Sequence, residues 1–422
     1  MNIEVKERVS QINKGKVPQG YKKTKLGIIP DDWSLEKLGS IATISKKQLS
    51  ENTDSNYKFY YIDISCVEAG KIKYTEKPIL FKNAPSRARR KVNINDIIMS
   101  TVRPNLKAFA YVSDERKNLI CSTGFSVLSE KKEISLGKYI FYNLFSYQSE
   151  KYYFACVVGS NYPAINNNDV RKLPVPIPPL IEQQKIAEIL STCDKVIELK
   201  EKLIEQKKLQ KKYLMQAFLD PKSQNFRHLP GFDKDWVEIK LGECFTERRE
   251  NNCTLRLLSI TSEKGVIDRT EIEHKDNSNE DKSKYKVILK GDIGYNTMRM
   301  WQGVSGVSSL TGIVSPAYTV CKPKEAIYPE FFGYLFKLQN VINVFHRYSQ
   351  GLVNDTLGLK YAPFSKLKFY IPEYKEQKTI ANILSVANKE INLLEKELKQ
   401  QKLKKKALMQ LLLTGKVRVN VS

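Results

Sequence analysis

Two long segments, 178–220 and 372–414, carry the most regular pattern of apolar and polar positions in the chain. Apolar residues recur there at spacings of four and three, in the same phase in both segments, which is typical of a coiled-coil seam. The predicted seam positions are Ile186, Leu190, Cys193, Ile197, Ile204, Ile380, Leu384, Ala387, Ile391, Leu394 and Leu398. Prolines at the start of each segment and acidic residues in its first turn favour one helix of about 40 residues, roughly 60 Å long.

The rest of the chain has a different pattern. Short runs rich in β-branched and aromatic residues, such as FYYIDI and KAFAYV, alternate with Gly, Asn and Pro turns, which indicates mixed α and β structure. The sequence predicts an α+β protein with two similar mixed α/β domains. The predicted parts are an N-terminal segment (1–29), a first domain (30–177), a first helix (178–220), a second domain (221–371), a second helix (372–414) and a tail (415–422).

The chain repeats itself. EQQKIAEILS (182–191) returns as EQKTIANILS (376–385), and DDWSLEKLG (31–39) returns as KDWVEIKLG (234–242). An internal duplication explains both echoes. Two seams of equal length and phase most simply pair with each other, and an antiparallel pair would relate the two domains by a pseudo-two-fold axis. The alternative is that each helix packs only on its own domain.

The charge balance of the chain indicates what kind of partner it binds. Lys and Arg number 70 against 46 Asp and Glu, a net charge of +24. Such a surplus favours a polyanion, because each neutralised phosphate releases condensed counterions; a surplus that serves only solubility is the alternative. The N-terminal residues contain no apolar signal-like stretch and no segment has the length of a membrane span, so we expect a cytoplasmic protein with no membrane partner.

Residues for catalysis or metal binding are sparse. The seven cysteines form no C-x-x-C pair and the three histidines lie far apart, which argues against a disulfide framework or a zinc site. No P-loop and no Asn/Asp-Pro-Pro-aromatic motif for adenine methylation occurs. We therefore expect no catalytic and no metal-binding residues in this chain.

Basic and amide side chains are the candidates for contact with a polyanion such as DNA. Arg103 and Arg299 follow equivalent strand segments of the repeat, and an arginine can read guanine with two hydrogen bonds. Clustered basic residues favour phosphates, with a solvated face as the alternative, and the polar loops 159–169 and 349–361 suit either base edges or simple turns. The predicted DNA-binding residues are Arg87, Arg89, Arg90, Arg103, Lys107, Asn161, Tyr162, Lys284, Arg299, Gln302, Asn354 and Lys360.

The ordered set of motifs resembles a known family. It consists of GYKKTKLGIIPDDWSLEKLG (20–39), the two Trp and Leu-Gly boxes, and the helix starts IPPLIEQQKIAEIL (177–190) and IPEYKEQKTIANIL (371–384). Together they resemble the specificity (S) subunit of type I restriction–modification systems.

The resemblance implies two target-recognition domains, each reading one half of a gapped double-stranded DNA site, and a helix pair that sets the gap. It also implies a non-catalytic chain that assembles with modification (methyltransferase) and restriction (motor and nuclease) subunits. S-adenosylmethionine, ATP and Mg²⁺ would then bind those partner subunits and no cofactor would bind this chain. A self-sufficient restriction endonuclease and a coiled-coil scaffold without a DNA role are the alternatives.

Overall fold

The computed structural model describes residues 3–45, 47–68, 70–158, 163–272, 281–352 and 356–420. The chain divides into two compact units. Unit 1 comprises Met1–Lys200 and Glu397–Ser422, and unit 2 comprises Glu201–Lys396. Both long helices cross the boundary, so each unit contains part of each helix.

The described residues of unit 1 form mostly short helices and a larger set of strands. The helices are α1 (Ile3–Asn13), α2 (Leu38–Ile41), α3 (Gly137–Leu144), α4 (Tyr147–Cys156) and α5 (Asn167–Lys172), followed by the long α6 (Leu180–Leu219). The strands are β1 (Tyr21–Thr24), β2 (Gly27–Pro30), β3 (Ser34–Lys37), β4 (Ala42–Ile44), β5 (Lys58–Ile62), β6 (Val67–Glu68), β7 (Lys71–Ile72), β8 (Ile79–Leu80), β9 (Ala88–Val92), β10 (Ile97–Ser100), β11 (Phe109–Tyr111), β12 (Leu119–Ser122), β13 (Phe125–Glu130) and β14 (Pro174–Ile177).

The central sheet of unit 1 has the strand order β11-β10-β13-β4, with all neighbours antiparallel. All four residues of β10 are buried, which explains its unbroken apolar run IIM. A second sheet has the order β8-β5-β12-β9 and includes the parallel pair β5 and β12. The core of unit 1 includes the fully buried Trp33, and Leu412 and Leu413, where the second long helix ends, pack into it.

Within its described residues, unit 2 repeats this plan with fewer strands. Its helices are α7 (Leu241–Cys244), α8 (Pro329–Leu335), α9 (Gln339–Tyr348), α10 (Tyr361–Ser365) and the long α11 (Tyr374–Leu412). Its strands are β15 (Val237–Lys240), β16 (Phe245–Glu247), β17 (Leu258–Thr261), β18 (Gly265–Asp268), β19 (Lys286–Ile288), β20 (Ile293–Asn296), β21 (Ser305–Val307), β22 (Gly312–Val314), β23 (Tyr318–Pro323) and β24 (Lys368–Ile371).

The order of strands in the central sheet is the same in the two units. The central sheet of unit 2 runs β16-β23-β20-β21, the counterpart of β4-β13-β10-β11. The strand that follows the repeated tryptophan pairs antiparallel with the strand before the long helix in both units, as β3 with β14 and as β15 with β24. The units differ in the strands outside the central sheet, where unit 2 has the two-stranded pairs β17-β18 and β19-β22. The predicted α+β fold with an internal duplication is confirmed.

The two long helices pair antiparallel within unit 1. Asp194 of α6 forms an ion pair with Lys405 of α11. Further along α6, Lys200 pairs with Glu397, with 2.6 Å between Nζ and Oε2. The partner numbers fall as those of α6 rise, which is the sign of an antiparallel pair.

The same order holds within unit 2. Lys207 pairs with Glu390 at 2.7 Å, and the Nζ of Lys211 donates to Asn388 Oδ1 at 2.7 Å. Most of these side chains are partly exposed, so each ion pair adds little free energy, and apolar burial must provide most of the stability.

The predicted seam residues are all at least half-buried. Those that are buried are Ile186, Leu190, Ile197, Ile204, Ile380, Leu384 and Ile391, and those that are half-buried are Cys193, Ala387, Leu394 and Leu398. Ile186 and Leu190 belong to the core cluster of unit 1, and Ile380 and Leu384 to that of unit 2. The start of each helix therefore packs on the core of its own unit, and further along the two helices pair with each other.

Candidate DNA-recognition segments

Two equivalent segments, 101–107 in unit 1 and 297–303 in unit 2, follow the central strands β10 and β20; we call them the recognition segments. In unit 1 the Thr101 amide donates to the carbonyl oxygen of Gly124 at 2.8 Å. The carbonyl oxygen of Thr101 accepts from the Ile165 amide at 2.9 Å, which ties the segment to the loop before α5.

Unit 2 holds its segment with the same two bonds. The Thr297 amide donates to the carbonyl oxygen of Ala317 at 3.0 Å, and the Thr297 carbonyl oxygen accepts from the Leu359 amide at 2.8 Å. The duplicated sequence therefore builds one backbone arrangement twice, with the loop before α5 or α10 beside the end of the central strand.

Arg103 and Arg299 occupy the same place in these segments. Each is exposed and stands just before a single-turn 3₁₀ helix, Pro104–Leu106 or Met300–Gln302. Arg103 has left-handed backbone angles (φ 48°), which are uncommon for a residue other than glycine, and its amide donates to the Pro163 carbonyl oxygen at 2.7 Å. Such strain is kept where the surrounding structure enforces it, and it occurs often at functional sites.

Lys107 anchors the end of the first segment. Its Nζ lies 3.0 Å from Glu150 Oε1 of α4, and its backbone is also left-handed (φ 52°). In unit 2 the equivalent position is Gly303, with a φ of 76°, which glycine adopts without strain. The ion pair and the left-handed turn fix the direction of the chain after the 3₁₀ helix.

The basic residues before and on β9 face different surroundings. Arg87 is exposed, whereas the guanidinium carbon of Arg89 lies 4.9 Å from the centroid of the Phe81 ring. A cation over an aromatic face is held in place yet keeps its charge for a second partner. The predicted contact of Arg87 and Arg89 with DNA stays a prediction.

Arg90 points into unit 1. Its Nη1 donates to Ser45 Oγ at 2.7 Å and to the carbonyl oxygen of Phe125, and it lies 3.4 Å from Asn167 Oδ1. Burial lowers the pKa of Arg90. These contacts give Arg90 a role in joining β4, β13 and α5, whereas its predicted contact with DNA stays a prediction.

The other predicted residues of unit 2 lie at the surface. Lys284, Gln302 and Lys360 are exposed, and Lys360 immediately precedes α10. The Nη1 of Arg299 lies 3.4 Å from Gln302 Oε1, so these two predicted residues are brought together. Asn161, Tyr162 and Asn354 lie outside the described residues.

A buried lysine, which the sequence analysis missed, supports the second segment. The Nζ of Lys337 donates to the carbonyl oxygens of Gly303 at 2.6 Å, Ser305 at 2.9 Å and Ser262 at 3.1 Å. Burial lowers the pKa of Lys337 to about 8. The acceptors come from distant parts of the chain, so no local pattern in the sequence could have indicated this role.

Two apolar residues in the segments were missed as well. Leu106 and Met298 are exposed, and each lies within three residues of the arginine in its recognition segment. The signal present in the sequence was an apolar residue close to an arginine in a predicted turn.

The described residues contain no group of three or more His, Cys, Asp or Glu side chains placed to hold a metal ion. Within the same described ranges, no helix is long and apolar enough to cross a membrane.

Comparison with known proteins places the chain in a family. A family model described as the type I restriction modification DNA specificity domain matches twice, at residues 30–208 and 233–404. The MjaVIII specificity subunit of a type I restriction enzyme from Methanocaldococcus jannaschii is 25% identical, over 93% of this chain and 94% of that protein.

Solved structures show the same fold. A chain from work on complex assembly and conformational transition of the type I R-M system matches with a TM-score of 0.57 at 20% identity, over 92% of this chain and 99% of that one. The type I restriction-modification S subunit from M. genitalium matches with a TM-score of 0.55 at 19% identity, over 90% and 96%. The predicted resemblance is confirmed: this chain belongs to the type I restriction–modification DNA specificity family and carries the specificity domain in two copies.

Proposed function

We propose that this specificity subunit recognises a gapped double-stranded DNA site, with each unit reading one half of it. The observation that carries the proposal is the pair of recognition segments. They present an exposed arginine at the same place in two copies of one fold, and the chain carries a net charge of +24. Phosphate contacts then provide most of the affinity, and side chains of the two segments provide the sequence information.

The halves of the site need not be alike. A homodimer reads a palindrome because both subunits are identical, whereas the two units of a duplicated chain can diverge. The divergence is visible in the structure, since the short stretch after the arginine is PNL in unit 1 and MWQ in unit 2.

The helix pair is the proposed docking surface for two copies of a modification (methyltransferase) subunit. Four exposed leucines form two equivalent sets: Leu199 (56% exposed) with Leu403 (58%) in unit 1, and Leu393 (61%) with Leu209 (61%) in unit 2. Leu199 corresponds to Leu393, and Leu209 to Leu403, at the repeat offset of 194. An apolar set that is repeated in this way fits two copies of one partner.

Catalysis is assigned to the partners in this proposal. The modification subunits would bind S-adenosylmethionine, and the restriction subunits would use ATP and Mg²⁺, while this chain binds DNA without a cofactor. The lack of a P-loop or methyltransferase motif in the sequence supports this division of labour.

The test is to map methylated positions in cells that express this chain with its partner subunits. We expect one gapped motif with two unlike halves. Replacing residues 236–371 with the matching segment of a relative of different specificity should change one half only, and replacing 34–177 should change the other half only. The proposal fails if either exchange alters both halves, or if the purified chain alone cleaves or methylates DNA.

A further inference from the structure

The recognition segments carry different side chains at one equivalent position, Leu106 in unit 1 and Gln302 in unit 2. We propose that this position determines specificity: Leu106 contacts the methyl group of a thymine in the half-site of unit 1, and Gln302 pairs with an adenine in the half-site of unit 2. The inference rests on the proposed function, in which each unit reads one half of the site.

Backbone hydrogen bonds establish the equivalence. Leu106 and Gln302 each close a 3₁₀ turn on the arginine three residues earlier, with an N···O distance of 2.9 Å to Arg103 and 3.0 Å to Arg299. The next amide closes a second turn in both units, from Lys107 to Pro104 O at 3.0 Å and, in unit 2, from residue 303 to residue 300 at 2.8 Å. Both turns then end on a left-handed residue.

Leu106 is exposed, while residues on either side of it are fixed in place. Leu106 is 62% exposed, Pro104 two positions earlier is buried, and Lys107 forms an ion pair with Glu150. A single exposed leucine would need no explanation on an ordinary surface. Here the leucine stands on a strained, anchored turn, three residues from an arginine, so that its side chain is presented with little freedom.

The chemistry of base edges selects the ligand for Leu106. In the major groove the thymine 5-methyl group is the largest apolar feature, and it lies among hydrogen-bond donors and acceptors. An aliphatic side chain beside an arginine therefore suits a thymine next to a base that the arginine reads. Covering one methyl group corresponds to about a fourfold gain in affinity.

At the equivalent position of unit 2, a hydrogen-bonding side chain stands in place of the leucine. Gln302 offers an amide that matches the N6 and N7 edge of adenine, and Arg299 matches the O6 and N7 edge of guanine. The Arg299 Nη1 lies 3.4 Å from Gln302 Oε1, so the ends of the two side chains lie side by side. In this position they can read neighbouring bases.

The first experiment uses the assembled complex of this chain with its partner subunits and DNA that carries both half-sites. Each thymine of the first half-site is replaced in turn by deoxyuridine, which lacks only the methyl group. We expect one replacement to weaken binding by about fourfold. Leu106→Ala should bind the thymine and uracil forms of that position equally, and Leu106→Met should restore the preference for thymine.

The second experiment exchanges the side chains. In selections from randomised sites, Leu106→Gln should shift one position of the first half-site from thymine to adenine by roughly fivefold or more. Gln302→Leu should shift one position of the second half-site from adenine to thymine. Ile134→Gln adds a glutamine at another exposed apolar position of unit 1 and should leave both half-sites unchanged.

The inference is wrong if the first half-site contains no thymine whose methyl group affects binding. It is also wrong if Leu106→Ala weakens binding to the thymine and uracil sites by the same factor, so that the preference for thymine remains. It is also wrong if both exchanges leave the selected sequences unchanged while the variants bind DNA. A complex that binds all sequences alike would instead overturn the proposed function itself.

Discussion

Arg103 and Arg299 can act on DNA in two ways that experiment separates. If each arginine reads guanine with two hydrogen bonds, its replacement by alanine should cost roughly 1–3 kcal/mol, and only at one base pair of one half-site. The measurement is the affinity of the assembled complex for sites with single base-pair changes, at several salt concentrations. An equal loss on every sequence, with a smaller salt dependence, would instead mark the arginine as a phosphate contact.

Lys337 makes the stability of unit 2 depend on pH. Its pKa in the folded chain is about 8, below the value near 10.4 of an unfolded lysine. Between these values the unfolded chain binds more protons, so the free energy of unfolding should rise with pH. We expect wild type to gain roughly 1–3 kcal/mol over Lys337→Met from pH 7.5 to 10.

Denaturant unfolding of both proteins at several pH values measures this difference. Lys290→Met removes an exposed lysine of the same unit and should show no such trend. A constant difference between wild type and Lys337→Met would mean that the buried ammonium keeps its proton throughout.

The residue scale also shows where sequence reasoning stops. Arg87, Arg89 and Arg90 look alike in the sequence, yet of the three only Arg90 bonds into the interior. Its acceptors lie 35 to 77 residues away along the chain, so the sequence around Arg90 does not indicate these bonds. The bidentate ion pair between Arg248 and Asp292, with distances of 2.7 and 3.2 Å, was missed for the same reason. Contacts between remote residues leave no local pattern.

At the scale of elements, periodic segments were predictable and sheet partners were not. The long helices follow from a repeated apolar spacing that a reader can count along the chain. The order β11-β10-β13-β4 includes the pairing of β4 with β13, which lie far apart in sequence, and strands of three to six residues carry too few positions to show such a pairing. The second unit repeats the same order, so the duplication implies the order of one unit once that of the other is known.

The exposed leucines of the helix pair yield a prediction at this scale. Replacing Leu199 and Leu403 with serine should remove one of two modification subunits from the complex, and replacing Leu209 and Leu393 should remove one as well. All four changes together should remove both. The chain itself should remain folded, because an exposed leucine-to-serine change costs a helix only about 0.5 kcal/mol.

Native mass spectrometry of the assembled complex counts the bound subunits. Val386→Ser is the matched control, since Val386 is exposed on α11 but its counterpart on α6 is the polar Thr192. If the quadruple variant still binds two modification subunits, the docking surface lies elsewhere on the chain.

At the scale of the whole molecule, the helix pair is the proposed ruler for the gap between half-sites. Lys200 and Glu397 face each other across the pair at 2.6 Å, so one heptad inserted beside each keeps the apolar seam in phase. Seven residues add about 10 Å to a helix. Since duplex DNA carries one charge per roughly 1.7 Å over both strands, 10 Å corresponds to about three base pairs.

The lengthened protein should therefore prefer a wider gap and bind it less tightly than the parent binds its own. Three base pairs turn the far half-site by nearly a third of a helical turn of about 10–10.5 base pairs, and the helix pair can absorb only part of that rotation. A heptad added to α6 alone should shift the seam against α11 and lower the melting temperature. Selection from a library with variable gaps, with the assembled complex, measures the preference; a doubly lengthened variant that folds, binds and keeps the parental gap would show that the helices do not set it.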